Sequence, residues 1–301
     1  MKIHMENLRR RARITASVRR FFVEKGYLEV ETPLWVPAPI PEAHIDPLEA
    51  GNGYLQASPE LCMKRLLAAG SGPIFQITKA FRKGERGAKH IPEMTMLEWY
   101  TPGADYESLM ADCQGLFLAV AQDLGLGASL KVKGKPIHLD RPWKRLTVKE
   151  AYALYGSEPM AEALSSDRFD EVMGLEVEPR LCCDTPVILC DYPAPMAALA
   201  KRKESDPSVA ERFELYVEGL ELANGFTELT DADEQRKRFE EEVALRKRLG
   251  KPTWPLPEIF LDDLPHMPPA AGIALGMDRL AMLFCGAETI DEVLTFPPES
   301  L

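Results

Sequence analysis

Residues 211–229, which contain RFELYVEGLELANGFTEL, constrain the fold more than any other stretch of this 301-residue sequence. Two apolar runs flank Glu218 and Gly219, and this pattern predicts a β-hairpin that turns at those two residues. A second pair of strands is predicted at 73–83 and 94–100, where a polar loop joins two apolar runs. Hairpins that alternate with helical segments place the chain in the α+β class.

Helical segments surround these strands. Helical spacing or capping residues predict helices at 6–25, 59–69, 105–124 and 233–250, and a strand, turn and helix at 271–286. The five prolines of 33–47 predict a surface connection without regular structure. The sequence shows no internal repeat and no interdomain linker. We therefore expect a single α+β domain over 1–301, with an acidic, irregular insertion at about 156–185.

Composition argues against two classes of protein. Lys and Arg number 36 against 47 Asp and Glu, and the net charge of −11 argues against non-specific nucleic-acid binding by a basic surface. No apolar run approaches the ~18 residues that cross a bilayer, and MKIHMENLRRR lacks the apolar stretch of a secretory signal. The six Cys show no metal-binding spacing. These features predict a cytoplasmic protein with reduced thiols.

The predicted hairpin brings two acidic side chains together. With a two-residue turn, position 216 faces 221 and 214 faces 223. Glu214 and Glu221 are then a diagonal pair on one face, about 7–8 Å apart along the backbone. Two carboxylates at this separation can share Mg²⁺. The alternative is a pair of solvated acids on an exposed face.

The register of the same hairpin decides where Asn224 and Glu228 point. A regular ladder directs both side chains to the face opposite Glu214. A bulge at Gly225 would reverse this assignment, because one extra residue shifts the alternation of side chains.

The loop after the strand at 73–83 carries several positive side chains. Arg82, Arg86, Lys89 and His90 lie there beside Glu85. Convergent cations at the mouth of a loop suit a phosphate group, because arginine offers a planar fork of donors. The alternative is a charged loop that is simply solvated.

Two further segments carry candidate residues. Gly272, Gly276 and Arg279 lie where a strand gives way to a helix, a place where a backbone can approach a phosphate. Their pattern, GIALGMDR, is neither the dinucleotide fingerprint nor a P-loop. On local pattern alone, Ser58 is a helix N-cap and Glu60 an acid that favours the start of a helix.

Taken together, these segments resemble a known family. Gly26 to Pro33, FRKGERGAKHIPEMTMLEWY (81–100) and GIALGMDRLAMLF (272–284) resemble, in order, the three signature motifs of class II aminoacyl-tRNA synthetases. ASPELCMKRL, GLELANGFTEL and AETIDEVLTFP are similar to the lysyl branch of that class. The resemblance spans nearly the whole chain. It implies an antiparallel β-sheet flanked by helices, a homodimer formed through the first motif, ATP as a substrate, and Mg²⁺.

Lysyl-tRNA synthetases carry an anticodon-binding domain ahead of the catalytic domain, whereas this sequence begins almost at once with the first motif. It is similar in this to the ligase family that attaches a β-lysyl group to a lysine of elongation factor P. Ser58 stands where the synthetases have Ala, and Ala274 replaces the middle glycine of the third motif, as in those ligases. The resemblance implies an ATP-dependent, AMP-forming ligase that activates (R)-β-lysine or lysine, with elongation factor P as its protein partner and without tRNA.

The resemblance also implies a role for individual residues. Arg82 would bind the α-phosphate of ATP and Arg279 the γ-phosphate, both as catalytic groups, while Glu214 and Glu221 would hold Mg²⁺. Glu85, His90 and Met94 would complete the nucleotide site. The amino-acid pocket would comprise Ser58, Glu60, Glu98, Tyr100, Asn224, Glu228 and Ala274. Three positions depart from the family pattern: Met94 replaces a Phe under the adenine, Ile91 replaces an Asn, and Gly84 replaces an acid for which Glu85 can substitute.

Two other functions stay open at this point. An enzyme of the same fold could charge a tRNA or a carrier protein with lysine. A catalytically inactive protein of the same fold could act as a synthetase-like binding subunit. Inactive relatives tend to lose the residues that bind ATP and metal, whereas Arg82, Glu214, Glu221 and Arg279 are all present. This favours an active ligase.

Overall fold

The computed structural model describes residues 4–301, so residues 1–3 of the predicted domain lie outside the described residues. The α-helices in this range are Met5–Glu24 (α1), Glu60–Ala68 (α2), Tyr106–Leu124 (α3), Val148–Tyr155 (α4), Met160–Ser165 (α5), Phe169–Val172 (α6), Ala232–Arg248 (α7), Glu258–Asp263 (α8) and Met277–Cys285 (α9). Within residues 4–301, no helix combines the length and the apolar character needed to cross a membrane.

The strands define one large sheet and two small ones. They are Leu28–Glu29 (β1), Trp35–Val36 (β2), Leu48–Ala50 (β3), Gly53–Leu55 (β4), Ile74–Phe81 (β5), Glu93–Pro102 (β6), Ser129–Val132 (β7), Lys135–His138 (β8), Lys144–Thr147 (β9), Val187–Pro193 (β10), Arg202–Lys203 (β11), Asp206–Val217 (β12), Leu220–Thr227 (β13) and Ala270–Gly276 (β14). The large sheet has the order β1-β5-β6-β14-β13-β12-β10-β9, with β11 beside β12. Its strands pair antiparallel except for β1 with β5 and β10 with β9. The predicted α+β class, with an antiparallel sheet flanked by helices, is thereby confirmed.

The predicted helices are present as α1, α2, α3 and α7, each within two residues of its predicted bounds. Capping explains why the bounds could be read from sequence: the Asp105 carboxylate accepts the backbone N–H of Ser108 at 3.0 Å and starts α3. Gly125 ends the same helix in the left-handed conformation, with φ of 75°. The predicted strand, turn and helix at 271–286 correspond to β14 and α9.

The central hairpin turns at Glu218 and Gly219, whose φ angles are 50° and 72°. Tyr216 pairs with Glu221 as predicted, but Glu214 pairs with Asn224 rather than with residue 223, because the register shifts between the two pairs. The extra residue is Leu222, which is buried together with Ala223 in the hydrophobic core. The bulge therefore lies at Leu222 and not at Gly225.

The proline-rich segment 33–47 is only partly the surface connection that its composition predicted. It contains the two-residue strand β2, and Ala43 is 1% exposed. Arg246 of α7 donates to the carbonyl oxygens of Glu42 and Ile45 at 2.8 and 3.0 Å, and pairs with Asp46 at 2.8 Å. A buried arginine can thus bind a segment that lacks its own backbone ladder.

Residues 156–185 differ from the irregular structure that we expected. They include α5, α6, a π-helical turn at Met173–Val177 and a 3₁₀ turn at Glu178–Arg180. Apolar side chains that the acidic composition concealed, among them Phe169 and Val177, pack against β10 and α4. That this segment is an insertion into a single domain stays a prediction.

The two faces of the large sheet are covered differently. One face packs against α1, α3 and α9 in the main hydrophobic core, which contains Leu97, Trp99 and Ile273. On the other face, Tyr100 and Phe226 pack with α2 and with α7 and α8 in a smaller cluster. This second face carries the candidate site.

Candidate active site

Most of the predicted site residues lie on one face of the large sheet. Across β12, β13, β14 and β6, one row of the register consists of Glu214, Asn224, Ala274 and Glu98. The adjacent row consists of Arg212, Phe226, Gly272 and Tyr100. Residues two apart on a strand share a face, so both rows point to the side on which α2 lies. Because of the bulge at Leu222, Asn224 faces the same side as Glu214, which corrects the regular-ladder prediction.

Glu98 is at the centre of this face and is 1% exposed. The Ser58 hydroxyl donates to its Oε1 at 2.6 Å, and the Tyr100 hydroxyl donates to its Oε2 at 2.8 Å. Burial, with a further contribution from the negative charge of Glu60, raises the pKa of Glu98 to about 7. A positively charged ligand would therefore favour the ionised form of this carboxyl group.

Ser58 contributes more than the helix cap predicted from its local pattern. Pro59, rather than the predicted Ser58, is the N-cap of α2, although the Ser58 hydroxyl accepts the backbone N–H of Glu60 at 3.0 Å. The same hydroxyl donates to Glu98, so it links the start of α2 to the sheet. The structure thus brings Ser58, Glu60, Glu98 and Tyr100 together, as the resemblance implied.

Lys64 is a residue of this site that the sequence analysis missed. Its Nζ lies 2.5 Å from Glu60 Oε1 and 2.5 Å from Glu228 Oε2, and the Lys64 side chain is 1% exposed. Burial raises the pKa of Glu228 to about 8 even though Lys64 opposes the shift. Burial by itself lowers the pKa of Lys64, but Glu228 and Glu60 outweigh it and the net shift is upward. The spacing of Glu60 and Lys64, four residues apart on a helix, was the available sequence signal.

Gly272 is required by the close approach of its neighbours. A Cβ atom on Gly272 would lie 2.2 Å from Tyr100 Cε1 and 2.3 Å from Glu228 Oε1. Such distances are far shorter than van der Waals contact, so any larger residue would displace both side chains. The glycine therefore allows Tyr100 and Glu228 to pack closely against the sheet. The sequence had predicted only that Gly272 allows the backbone to approach a phosphate.

Glu214 is held by two residues that the sequence analysis also missed. Arg212 Nη2 lies 2.7 Å from Glu214 Oε1, and the Tyr216 hydroxyl donates to Oε2 at 2.6 Å. Arg212 Nε also donates to Asn224 Oδ1 at 3.2 Å. Arg212 and Tyr216 lie two residues on either side of Glu214, so the alternation of the strand could have indicated both.

Glu221 lies beside Arg279 at the start of α9. Arg279 Nη1 donates to Glu221 Oε2 at 3.1 Å and to its carbonyl oxygen at 2.9 Å. The packed surroundings of Glu221 and the negative charge of Glu214 raise its pKa, although Arg279 opposes the shift. The predicted diagonal pair of carboxylates is therefore present on one face, and its role in metal binding stays a prediction.

Arg279 also joins the loop between β5 and β6 to this cluster. Its Nη2 lies 2.6 Å from His90 Nε2, and its Nε donates to the carbonyl oxygen of Lys89 at 3.3 Å. Partial burial and the positive charge of Arg279 lower the pKa of His90. The Nε2 atom of a neutral imidazole can accept a hydrogen bond from the guanidinium N–H, so this contact is favourable near neutral pH.

Arg82 and Glu85 lie where the same loop begins. Arg82 Nη1 is 3.7 Å from Glu85 Oε1, and Arg82 Nε is buried without a hydrogen-bond partner among residues 4–301. An unpaired guanidinium donor is suited to a phosphate oxygen. Met94 pairs with Ala80 across β5 and β6, near the base of the loop, and is half-buried.

Arg86 does not join the other cations of the loop. Its Nε lies 2.7 Å from Glu299 Oε1, and its Nη2 lies 2.9 Å from Asp291 Oδ2. These partners neutralise Arg86 near the end of the chain. The predicted cationic cluster therefore reduces to Arg82 and Lys89, with the neutral His90 beside them and Arg279 added from α9.

Two further carboxyl groups near the site escaped the sequence analysis. Burial raises the pKa of Glu42 to about 7, against the positive charge of Arg82. Burial and the negative charges of Glu214 and Glu221 raise the pKa of Glu178 to about 7. Both residues belong to segments that we expected to lack regular structure, and no local pattern marked them.

Comparison with known proteins is consistent with this geometry. The sequence matches the family model described as tRNA synthetases class II (D, K and N) over residues 2–300. A protein of Yersinia enterocolitica named elongation factor P–(R)-beta-lysine ligase is 41% identical, with 97% of this chain and 94% of that protein covered. Proteins of the same name from Pectobacterium carotovorum and Salmonella gallinarum are 42% and 40% identical, over 97% and 96% of this chain and 95% and 94% of theirs.

Proposed function

Because the chain belongs to the class II tRNA synthetases (D, K and N), we propose that it is an ATP-dependent ligase for elongation factor P. It activates (R)-β-lysine, or lysine, as an aminoacyl-adenylate. It then transfers the aminoacyl group to the ε-amino group of a lysine on elongation factor P. The similarity to ligases of that name supports this proposal.

The observation that carries the proposal is a group of buried carboxyl side chains on one sheet face, with Arg82 and Arg279 near Glu221 of the same face. Glu98 and Glu228 are 1% and 2% exposed, and Glu60 lies beside them. Carboxylates in such surroundings bind ammonium groups through charge-assisted hydrogen bonds, and lysine and β-lysine each carry two. Arg279 extends from α9 to Glu221, which lies on the same face as Glu214.

In the first step the substrate carboxylate attacks the α-phosphorus of ATP. The bond from that phosphorus to the bridging oxygen breaks, and pyrophosphate leaves. Arg82 neutralises charge that develops on the α-phosphate oxygens, and Arg279 binds the γ-phosphate. Glu98, Glu60 and Glu228 orient the ammonium groups, so that the carboxylate faces the phosphorus. The protein supplies no nucleophile.

Glu214 and Glu221 are the residues that we propose for Mg²⁺. Within residues 4–301 no group of three or more His, Cys, Asp or Glu side chains is arranged to hold a metal ion. Mg²⁺ commonly takes one or two carboxylates and completes its shell with phosphate oxygens and water. When bound, Mg²⁺ would offset the negative charge of the phosphates.

In the second step the lysine ε-amine of the acceptor attacks the carbonyl carbon of the adenylate. An amide bond forms, the bond to AMP breaks, and AMP leaves. The amine must lose a proton first, since an unperturbed lysine has a pKa of ~10.4. The pocket carboxylates contribute by keeping the aminoacyl group in place during the attack.

We also propose that the enzyme is a cytoplasmic homodimer. The resemblance implies an interface around the first motif, where the exposed side chains include Leu34 and Trp35, at 40% and 44%. Light scattering during size exclusion tests this: the proposal requires twice the chain mass of 33.7 kDa, and a monomer at micromolar concentration contradicts it.

The deciding experiment is the intact mass of elongation factor P after incubation with this protein, ATP, Mg²⁺ and either lysine or β-lysine. The proposal requires a gain of one lysyl residue, larger with β-lysine, and none when ATP is omitted. If pyrophosphate exchange depends on either amino acid but elongation factor P gains no mass, the acceptor is wrong. That outcome would favour a tRNA or a carrier protein as acceptor.

A further inference from the structure

Lys64 is the one lysine in the amino-acid pocket, among the residues described, that bridges two carboxylates. Its Nζ lies 2.5 Å from oxygens of both Glu60 and Glu228, and it stands 5.1 Å above the ring of Phe226. Neither the resemblance nor the proposed mechanism uses this residue. A buried ion pair contributes little to stability compared with apolar side chains of similar volume, so packing alone gives no reason for a lysine here.

The charges of the pocket give a reason. Glu60, Glu98 and Glu228 supply three carboxylates, and Tyr100 donates to Glu98 from the same strand. Three carboxylates in one buried site cannot all ionise without a counter-charge. When a bound ligand ionises all three, one internal ammonium group leaves two net negative charges, which equals the number of ammonium groups on lysine or β-lysine.

A carboxylate oxygen of Glu228 that lacks a hydrogen-bond partner indicates where a ligand would bind. Glu228 Oε2 faces Lys64, whereas Glu228 Oε1 is buried with no hydrogen-bond partner among residues 4–301. That oxygen lies above Gly272, beside the ring of Tyr100. A buried unpaired acceptor is unfavourable unless a donor arrives. Lys64 therefore turns one oxygen of Glu228 toward itself and leaves the other for the substrate.

We propose that Lys64 is a positioning residue for substrate selection, an internal counter-ion that pairs with Glu60 and Glu228 and orients both carboxyl groups toward a diamino acid. The inference rests on the proposed function. It does not make Lys64 a catalytic residue, because Lys64 acts through the two carboxylates. Its removal should impair binding of the amino acid and leave the binding of ATP unchanged.

The test is amino-acid-dependent pyrophosphate exchange by the full chain carrying Lys64→Met, with β-lysine and with lysine, between pH 6 and 8.5. We expect KM for the amino acid to rise roughly tenfold or more at pH 7, with KM for ATP within about twofold of wild type. Lys64 opposes the effect of burial on Glu228, so without Lys64 the pKa of Glu228 should rise further and Glu228 should keep its proton to higher pH. The acidic limb of kcat/KM should therefore move upward, and the defect in KM should shrink as pH rises.

Arg65→Met is the matched control. Arg65 is the next residue of α2, pairs with Asp263 of α8 at 2.6 Å and is 43% exposed. The substitution removes one positive charge from the same helix but outside the pocket. We expect an unchanged KM and an unchanged pH profile.

If Lys64→Met does not fold, Lys64→Met combined with Glu228→Gln removes the unpaired charge and is compared with Glu228→Gln alone. The inference requires a higher KM in the double variant, because Glu60 has also lost its partner. Equal KM values in these two variants would mean that Lys64 has a purely structural role and would overturn the inference.

A lower KM in Lys64→Met than in wild type would show that Lys64 competes with the substrate and would also overturn the inference. A wild-type protein without exchange on either amino acid would instead contradict the proposed function, and this inference with it.

Discussion

At the scale of single residues, Glu98 shows how the site combines its elements. Its carboxylate accepts one hydrogen bond from the hydroxyl of Ser58, which precedes α2, and one from the hydroxyl of Tyr100, which lies on its own strand. Ala274 is its neighbour in the row across β14. The two residues that distinguished this chain from the synthetases, Ser58 and Ala274, therefore both adjoin the same buried carboxyl group.

This arrangement predicts the outcome of exchanging both residues. Ser58→Ala with Ala274→Gly removes a donor to Glu98 and one methyl group from the pocket. We expect the ratio of kcat/KM for β-lysine to that for lysine to fall roughly tenfold. Pyrophosphate exchange with each amino acid measures the ratio, and unchanged selectivity in the double variant would refute the specificity argument.

Arg82 carries the prediction for catalysis. Arg82→Ala removes the guanidinium that we assign to the α-phosphate, so we expect pyrophosphate exchange to fall about 100-fold or more. Arg86→Ala is the control in the same loop, because Arg86 is paired with Glu299 and Asp291. Normal exchange by Arg82→Ala, or an equal loss in both variants, would show that the assigned role is wrong.

At the scale of elements, α7 fastens the proline-rich segment 33–47 to the body of the protein. Arg246 binds two carbonyl oxygens and Asp46, and Glu242 Oε2 accepts the backbone N–H of Ala43 at 2.7 Å. The segment needs these partners because its prolines prevent a regular ladder. It places Glu42 beside Arg82, so the helix also shapes the edge of the site.

Arg246→Met should therefore lower the free energy of unfolding by about 1–3 kcal/mol, since the carbonyl oxygens of Glu42 and Ile45 lose a buried donor, while Asp46 keeps Lys251 at 3.2 Å. Urea denaturation followed by circular dichroism measures the change. Arg248→Met serves as the control, because Arg248 is exposed on the same helix, and we expect a change within about 0.5 kcal/mol. Similar effects of the two substitutions would contradict the role of Arg246.

At the scale of the whole molecule, five carboxyl groups around one site have raised pKa values: Glu42, Glu98, Glu178, Glu221 and Glu228. Burial raises the pKa of Glu42, Glu98 and Glu178 to about 7 and that of Glu228 to about 8. Each lies above the ~4.3 of an unfolded glutamate. The folded state consequently binds more protons than the unfolded state between these values, and its stability falls as pH rises through them.

Glu98→Gln isolates one of these groups. Glutamine does not titrate, so between pH 5 and 7 the stability of the variant relative to wild type should rise. The increase should be at most about 1.4 kcal/mol per pH unit. Denaturant titrations at several pH values measure this, with Glu93→Gln as the control, because Glu93 is 58% exposed on the same strand. A difference that is flat or falls with pH would contradict the burial of a protonated Glu98.

Local interactions explain what the sequence alone determined. The helices, their capping residues and the turn at Glu218 and Gly219 depend on neighbours within a few residues, so their patterns were visible without a structure. The resemblance to a known family identified the motif residues Arg82, Glu98, Glu214, Glu221 and Arg279. Hairpin geometry independently supported the pair Glu214 and Glu221.

Tertiary structure decided the rest, because the remaining features depend on contacts between distant segments. The bulge at Leu222 exists because two consecutive residues are buried in the core, and it alone brings Asn224 to the face of Glu214. Arg86 lies outside the cationic cluster because it pairs with acidic residues that are more than two hundred residues away along the chain. Lys64 belongs to the pocket because the strand β13 places Glu228 against α2. A sequence specifies charges and spacings, but which charges meet is decided by how the sheet and helices pack.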